Sequence, residues 1–228
     1  MLSKKIFWLY LAALHLLCLA LLVLVVKDRY LAPPDDNWHN RLHSFYLRYD
    51  QNVPNDSLVF LGDSHIQGMC TTCVSKSAIN FGIGKDRTAD VIRRVTSYQS
   101  VKTAKAVVLQ VGHNDLKSDS NAKIVESYDL LLRALTGDQH ILVVAQFPVG
   151  VQVEHFDQIN VRKRQINEAV QNLCTLNKQC TMLDLTSSLT DKVGTLSSKY
   201  HLGDGVHLNK NSNALWIDSL RETLVNME

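Results

Sequence analysis

The stretch Leu58-Val59-Phe60-Leu61-Gly62-Asp63-Ser64-His65 decides the fold. It is a short apolar run that stops at Gly-Asp-Ser. An apolar run of this length bounded by turn residues reads as a buried strand. The turn after it delivers one hydroxyl, Ser64, to the carboxyl end of that strand. In open α/β sheets, ligands bind in the crevice at that end. A serine there is a candidate nucleophile, and it needs a base, a group that orients the base, and donors for an oxyanion.

Outward from this stretch, strand and helix patterns alternate. Strands are expected near 57–61, 76–80, 105–111, 140–146 and 180–185, and helices near 65–72, 88–99, 121–136, 158–177 and 210–226. Val107-Val108-Leu109-Gln110-Val111 and Ile141-Leu142-Val143-Val144-Ala145 are nearly continuous apolar runs. Such runs belong to parallel strands covered on both faces. In helix 158–177, Ile166, Ala169, Val170, Leu173 and Leu176 form the expected buried stripe. The alternation argues for one α/β three-layer domain around a parallel sheet. Ahead of it, Trp38, Leu42, Phe45, Tyr46 and Tyr49 recur at helical spacing, a stripe that lays one more helix against the domain.

The chain has 228 residues, enough for such a domain and an appendage at the front. Ile6 to Val26 are 21 consecutive uncharged residues, interrupted in polarity only by His15. That length spans a hydrocarbon core as a helix. No Ala-x-Ala site follows it, so an uncleaved anchor is favoured over a cleaved signal peptide. Lys4 and Lys5 before the run, against Lys27, Asp28 and Arg29 after it, orient the N-terminus inward. Residues 30–228 are then outside, in the periplasm if the source is bacterial. Ala32-Pro33-Pro34-Asp35-Asp36 reads as a stiff linker. The division is 1–29 for the anchor, 30–56 for linker and amphipathic helix, and 57–228 for the catalytic domain.

Four of the 24 Lys/Arg and one of the 22 Asp/Glu fall in residues 1–29, leaving 20 basic against 21 acidic residues outside them. A near-neutral domain lacks the basic face that a nucleic-acid partner would need. Cys70/Cys73 and Cys174/Cys180 are two close pairs, suited to disulfides in an oxidising compartment. Four cysteines allow three connectivities, of which the two local pairs are favoured. His39 and His43, four apart on a helix, read as exposed polar residues rather than a metal pair.

Four segments sit at expected strand ends or before the last helix: Gly62-Asp63-Ser64, Asn80-Phe81-Gly82-Ile83-Gly84-Lys85-Asp86, Gly112-His113-Asn114-Asp115 and Asp204-Gly205-Val206-His207. His207 can act as general base toward Ser64 Oγ. Asp204, three residues earlier, can hold the other ring nitrogen, in the chain order Ser…Asp…His. Backbone N–H groups of Ser64 and of the Gly84-Lys85 region, with the Asn114 side-chain amide, can form an oxyanion hole. Each piece alone is an ordinary turn. Together, and in this order, they outline an acyl-transfer site.

This pattern resembles the SGNH (GDSL-type) hydrolases. The residues that carry the resemblance are Gly62-Asp63-Ser64, Gly82 to Gly84, Gly112-x-Asn114-Asp115 and Asp204-x-x-His207. Within that superfamily the chain is most similar to the platelet-activating-factor acetylhydrolase catalytic-subunit branch, through Asp36-x-Trp38, Val59 to Ser64 and Asn80 to Gly84. The resemblance covers roughly residues 36–226. It implies a flavodoxin-like three-layer α/β/α sandwich, a five-stranded parallel sheet in the order 2-1-3-4-5, and ester hydrolysis without metal or other cofactor. It implies Ser64 as nucleophile, Asp204 and His207 as its triad partners, and Asn114 as an oxyanion donor. The family places a glycine directly before the Asp86 position; here Lys85 stands there and Gly84 is one residue early. If the position needs a positive φ, lysine is strained in it.

The expected function is therefore a membrane-anchored serine ester hydrolase acting on an acyl ester of a lipid or an acylated glycan. An O-acyltransferase or deacetylase of cell-envelope glycans is the alternative, and a non-catalytic tethered module on the same fold ranks last. His65 either lines the acyl site or caps the helix after it. Phe147-Pro148-Val149 either walls the acyl pocket or closes the core edge.

Overall fold

The structure is a computed structural model that describes residues 4–30, 36–135 and 137–227. The linker read at Ala32 to Asp35 lies outside the described residues. The chain divides into two compact units, Met1–Leu42 and His43–Glu228. The first contains α1 (Lys4–Tyr30), in which Ile6–Val23 has a mean hydropathy of 2.5 and none of its length buried in protein. It is one helix long and apolar enough to cross a membrane.

The second unit is the α/β domain. Its strands are β1 (Leu58–Gly62), β2 (Ala78–Gly82), β3 (Ala106–Gln110), β4 (His140–Val144) and β5 (Cys180–Leu183). All pair in parallel in the order β2-β1-β3-β4-β5. After α2 (Asp36–Asp50), the helices are α3 (Ser64–Gln67), α4 (Thr71–Val74), α5 (Thr88–Val95), α6 (Gln99–Lys102), α7 (Asn121–Ala134), α8 (Phe156–Leu176), α9 (Thr186–Leu189) and α10 (Lys210–Val225). Strand residues alternate between faces. Leu58, Phe60, Ala106, Val108, Leu142 and Val144 share one core with Leu189, Trp216 and Leu220 of α9 and α10. Val59, Leu61, Val107, Leu109, Ile141 and Val143, all at most 1% exposed, point to the other face. Helices α5, α7 and α8 pack side by side as the second outer layer. The chain runs outward in opposite directions from β1 and β3, so their carboxyl ends form the topological switch point where such sheets bind ligands.

Two glycines let α3 start tightly against the sheet. A Cβ at Gly62 would lie 1.9 Å from Gln110 O, and one at Gly82 would lie 2.3 Å from Gln67 N. Asp63 caps α3 by accepting from His65 N at 3.0 Å.

Several expected boundaries shift. The helix expected at 65–72 is two short turns, α3 and α4, separated at Gly68 to Cys70. The helix expected at 88–99 stops at Val95, and a new turn begins at Gln99. Asp50 explains the new start: its carboxylate accepts from Gln99 N at 2.6 Å, from Ser100 N at 3.1 Å and from Ser100 Oγ. The buried stripe of α8 also differs. Leu176 is 86% exposed, and the inward face is Asn160, Lys163, Ile166, Asn167, Val170 and Cys174. Of the stripe read on α2, Tyr46 is buried and donates to Gly82 O at 2.9 Å, whereas Trp38, Phe45 and Tyr49 remain about half exposed. Both local disulfides form, Cys70–Cys73 and Cys174–Cys180.

Candidate active site

Ser64 is the first residue of α3, at the carboxyl end of β1. Its Oγ lies 3.0 Å from His207 Nε2. His207 Nδ1 lies 2.6 Å from Asp204 Oδ2. The carboxylate fixes the tautomer: Nδ1–H donates to Asp204, which leaves Nε2 to accept the serine proton. Asp204 Oδ1 also accepts from Val206 N and His207 N, both at 2.9 Å. Burial opposes the charge on Asp204, but the hydrogen bonds from the His207 ring and the two backbone N–H groups outweigh it, holding the carboxyl down at about 2. The loop itself is shaped by His201, which sequence reading passed over. Its Nδ1 accepts from Gly203 N at 3.0 Å and Gly205 N at 3.1 Å.

The loops after β2 and β3 that carry the expected oxyanion groups are tied to each other, and Gly84 lies beside Ser64. Asn114 follows β3, and its Nδ2 donates to Asp86 O at 3.0 Å, which ties it to the loop after β2. A Cβ built at Gly84 would lie 3.8 Å from Ser64 Cβ. The Gly84 N–H, however, donates to Gln67 Oε1 at 2.7 Å. Lys85 is exposed and adopts φ +71°, the left-handed conformation that favours glycine. The position before Asp86 thus has the positive φ at which lysine is strained.

Behind the loop, Arg94 gathers the strand ends. Its Nε donates to Asp86 Oδ2 at 2.7 Å, Nη1 to Phe81 O at 2.7 Å and Nη2 to Gly62 O at 3.1 Å. Helix α8 does the same for the segment after β4. Asn160 bonds both Val149 N and O, Asn167 both Gln146 N and O, and Lys163 Nζ donates to Phe147 O at 2.6 Å. Sequence reading missed Arg94, Asn160, Lys163 and Asn167. The signal was polar residues recurring at helical spacing at 160, 163 and 167.

His65 does not cap α3. Its ring stacks on Phe147 at 5.4 Å, faces His113 at 6.4 Å and meets His207 edge-on at 5.8 Å. Burial first, then the charges of Lys163 and His207, hold His65 well below the usual imidazole range, at about 3. Lys163 first, then burial, holds His113 down at about 2. Both rings are therefore neutral beside the His207 imidazole. Phe147 is 1% exposed and packs edge-on against Trp216 at 5.0 Å, so it closes the core and backs His65. His43, read as an exposed polar residue, lies edge-on to the Tyr98 ring at 5.8 Å. Among the described residues, no group of three or more His, Cys, Asp or Glu side chains is placed to hold a metal ion.

The family model for the GDSL-like lipase/acylhydrolases matches residues 60–215, more than half of the chain and every segment of this site. The chain belongs to the GDSL-like lipase/acylhydrolase family. Solved structures agree on the fold of this acylhydrolase. A Streptococcus pneumonia protein whose description carries the words platelet activating factor superposes with a TM-score of 0.75 at 20% identity, covering 90% of this chain and 99% of its own. A GDSL-like lipase from Bacteroides thetaiotaomicron gives 0.71 at 12% identity, covering 82% of this chain and 98% of its own. An acetyl xylan esterase gives 0.62 at 20% identity, covering 73% and 98%. At these identities the likeness is one of fold. No curated protein matches the sequence.

Proposed function

We propose that this acylhydrolase is a membrane-anchored serine esterase that works through an acyl-enzyme. The observation that carries the proposal is the hydrogen-bonded chain Ser64 Oγ, His207, Asp204, with links of 3.0 and 2.6 Å. His207 Nε2 takes the Ser64 proton as Oγ attacks the ester carbonyl. The imidazolium is stabilised by the adjacent carboxylate, which stays ionised because its proton affinity is so low. The carbonyl oxygen becomes an oxyanion held by the Ser64 N–H, the Asn114 amide and the N–H of Lys85. Lys85 is assigned in preference to Gly84 because the Gly84 N–H is already bonded to Gln67. Collapse expels the alcohol, protonated by His207. Water activated by the same imidazole then releases the acid and restores Ser64.

The chain is further proposed to divide as 1–29 anchor, 30–56 linker and helix, and 57–228 hydrolase. Lys4 and Lys5 set its N-terminus inside. The two disulfides suit a catalytic domain outside the cytoplasm.

The test is hydrolysis of p-nitrophenyl esters from acetate to palmitate by the full chain and its Ser64→Ala variant. Turnover in the wild type and none above background in the variant is expected, and the chain-length optimum names the acyl class. Equal turnover by Ser64→Ala would overturn the mechanism. Acyl delivery to a glycan hydroxyl faster than to water would assign the transferase chemistry instead.

A further inference from the structure

Three loops meet beside the catalytic histidine. Gly150 N donates to Gly205 O at 2.8 Å, Leu196 N to Val149 O at 3.1 Å, and Leu202 N to His207 O at 2.9 Å. A Cβ at Gly150 would lie 3.2 Å from both Gly205 Cα and Leu196 O, so the three backbones touch there. Each loop carries one exposed aliphatic residue near its tip: Val151 at 57%, Val193 at 83% and Leu202 at 70%. None is more than three residues from the junction, so all three lie within ~11 Å of it. His207 is two residues from Gly205, so the catalytic base borders the same junction.

Val193 and Leu202 directly precede Gly194 and Gly203, and a side chain added at either glycine would meet nothing within 4 Å. These tips therefore stand clear of the domain. Turn tips ordinarily carry Gly, Asn, Asp, Ser or Pro. A single exposed aliphatic residue is ordinary, but three within ~11 Å of one junction beside the proposed catalytic base are enough to meet an apolar partner. The same chain supplies the partner's identity. It carries a helix long and apolar enough to cross a bilayer, so a lipid surface lies within reach of every tethered domain.

We propose that the Val151, Val193 and Leu202 rim docks into the interfacial layer of the membrane that holds the N-terminal helix, and that the esters reaching Ser64 are those of lipids in that layer. Its docking half rests on the membrane-anchor reading and its substrate half on the serine esterase reading.

The experiment uses the full chain in nanodiscs of phosphatidylethanolamine and phosphatidylglycerol. With Cys18→Ser as background, a nitroxide is placed on Val193→Cys, on Leu202→Cys and, as control, on Leu130→Cys, a half-exposed site on α7. Power saturation with oxygen and a nickel chelate reads depth. Labels at 193 and 202 are expected to be oxygen-exposed and nickel-protected, and the label at 130 aqueous. A Val151→Ser, Val193→Ser, Leu202→Ser chain is expected to lose acyl release from disc lipids about tenfold or more, while turnover of p-nitrophenyl acetate stays within about twofold. Aqueous labels at 193 and 202 would overturn the docking. No acyl release from lipid by a wild type that turns over p-nitrophenyl acetate would overturn the lipid substrate. No turnover of either ester would strike the esterase reading and leave the depth result to judge the docking separately.

Discussion

An Arg94→Met chain keeps most of the buried hydrocarbon of α5 and deletes one guanidinium. Arg94 is 3% exposed and Asp86 is fully buried, so water does not replace the lost donors easily. The charge-assisted pair to Asp86 disappears, with the donations to Phe81 O and Gly62 O and a longer one to Tyr98 Oη at 3.4 Å. Breaking one side of a buried ion pair costs about 3–5 kcal/mol. Each carbonyl left without a donor adds roughly 1–3 kcal/mol, part of which relaxation recovers. A loss of at least about 4 kcal/mol is expected, a large share of the roughly 5–15 kcal/mol that holds a domain folded. The pH dependence gives the cause away. Burial raises the Asp86 carboxyl toward about 7, and Arg94 opposes the rise. Without Arg94 the folded variant takes up a proton that the unfolded chain, with an ordinary carboxyl, does not bind until pH falls near 4. With Arg94 present the carboxyl already sits at about 7, and without it the carboxyl titrates higher still. The variant therefore keeps its proton at a pH where the wild type has lost it, and the deficit against wild type is larger at pH 8 than at pH 5. Urea unfolding of the full chain in detergent micelles at both pH values reads this directly. A deficit under about 1 kcal/mol at pH 8, or one equal at both pH values, would mean that Arg94 is not the electrostatic clasp of the strand ends. An Arg94→Met, Asp86→Leu chain, with the pair made apolar, should recover much of the loss.

Other outcomes follow from the same geometry. Asp204→Asn should lower kcat by about 10²- to 10⁴-fold with KM little changed, because the amide no longer fixes the His207 tautomer; steady-state kinetics on a soluble ester checks it. His65→Leu removes an imidazole held neutral down to about pH 3. The folded wild type resists that proton while the unfolded chain takes it near pH 6.5, so between pH 6.5 and 3 wild-type stability should fall up to about 1.4 kcal/mol per pH unit more steeply than the variant's; urea midpoints across that range decide. Lys85→Gly relieves a left-handed lysine but loosens the unfolded chain, so stability should change by under about 1 kcal/mol and turnover should persist, since the N–H remains. A tenfold or greater fall in turnover would show that the lysine side chain itself takes part.

The sheet and the pairing of Asp204 with His207 were legible because each rests on local signals. The strand cores of β1, β3 and β4 are apolar runs bounded by turn residues, and a fully covered parallel strand requires nothing else. Asp204 and His207 are three residues apart, so one turn suffices to join them. What escaped the sequence depends on distant partners. Asp50 starts α6 from 49 residues upstream, which no local pattern announces. The inward face of α8 was misread because a hydrophobic scan discards Asn160, Lys163 and Asn167, the residues that bond the backbone after β4. The sequence leaves both Gly84 and Lys85 open as oxyanion donors, because the partner of the Gly84 N–H, Gln67, comes from the neighbouring short helix. The aliphatic loop tips were invisible for a different reason. Val151, Val193 and Leu202 are scattered in sequence and are gathered only by the three-loop junction.

The most direct measurement is the intact mass of the full chain after exposure to an alkyl fluorophosphonate, followed by peptide mapping. One adduct on Ser64 is expected, absent from Ser64→Ala and formed far more slowly in His207→Ala, because the hydroxyl reacts only when the imidazole 3.0 Å away accepts its proton. An unmodified, folded wild type, or an adduct at another residue while ester turnover continues, would contradict the assignment of Ser64 as the nucleophile.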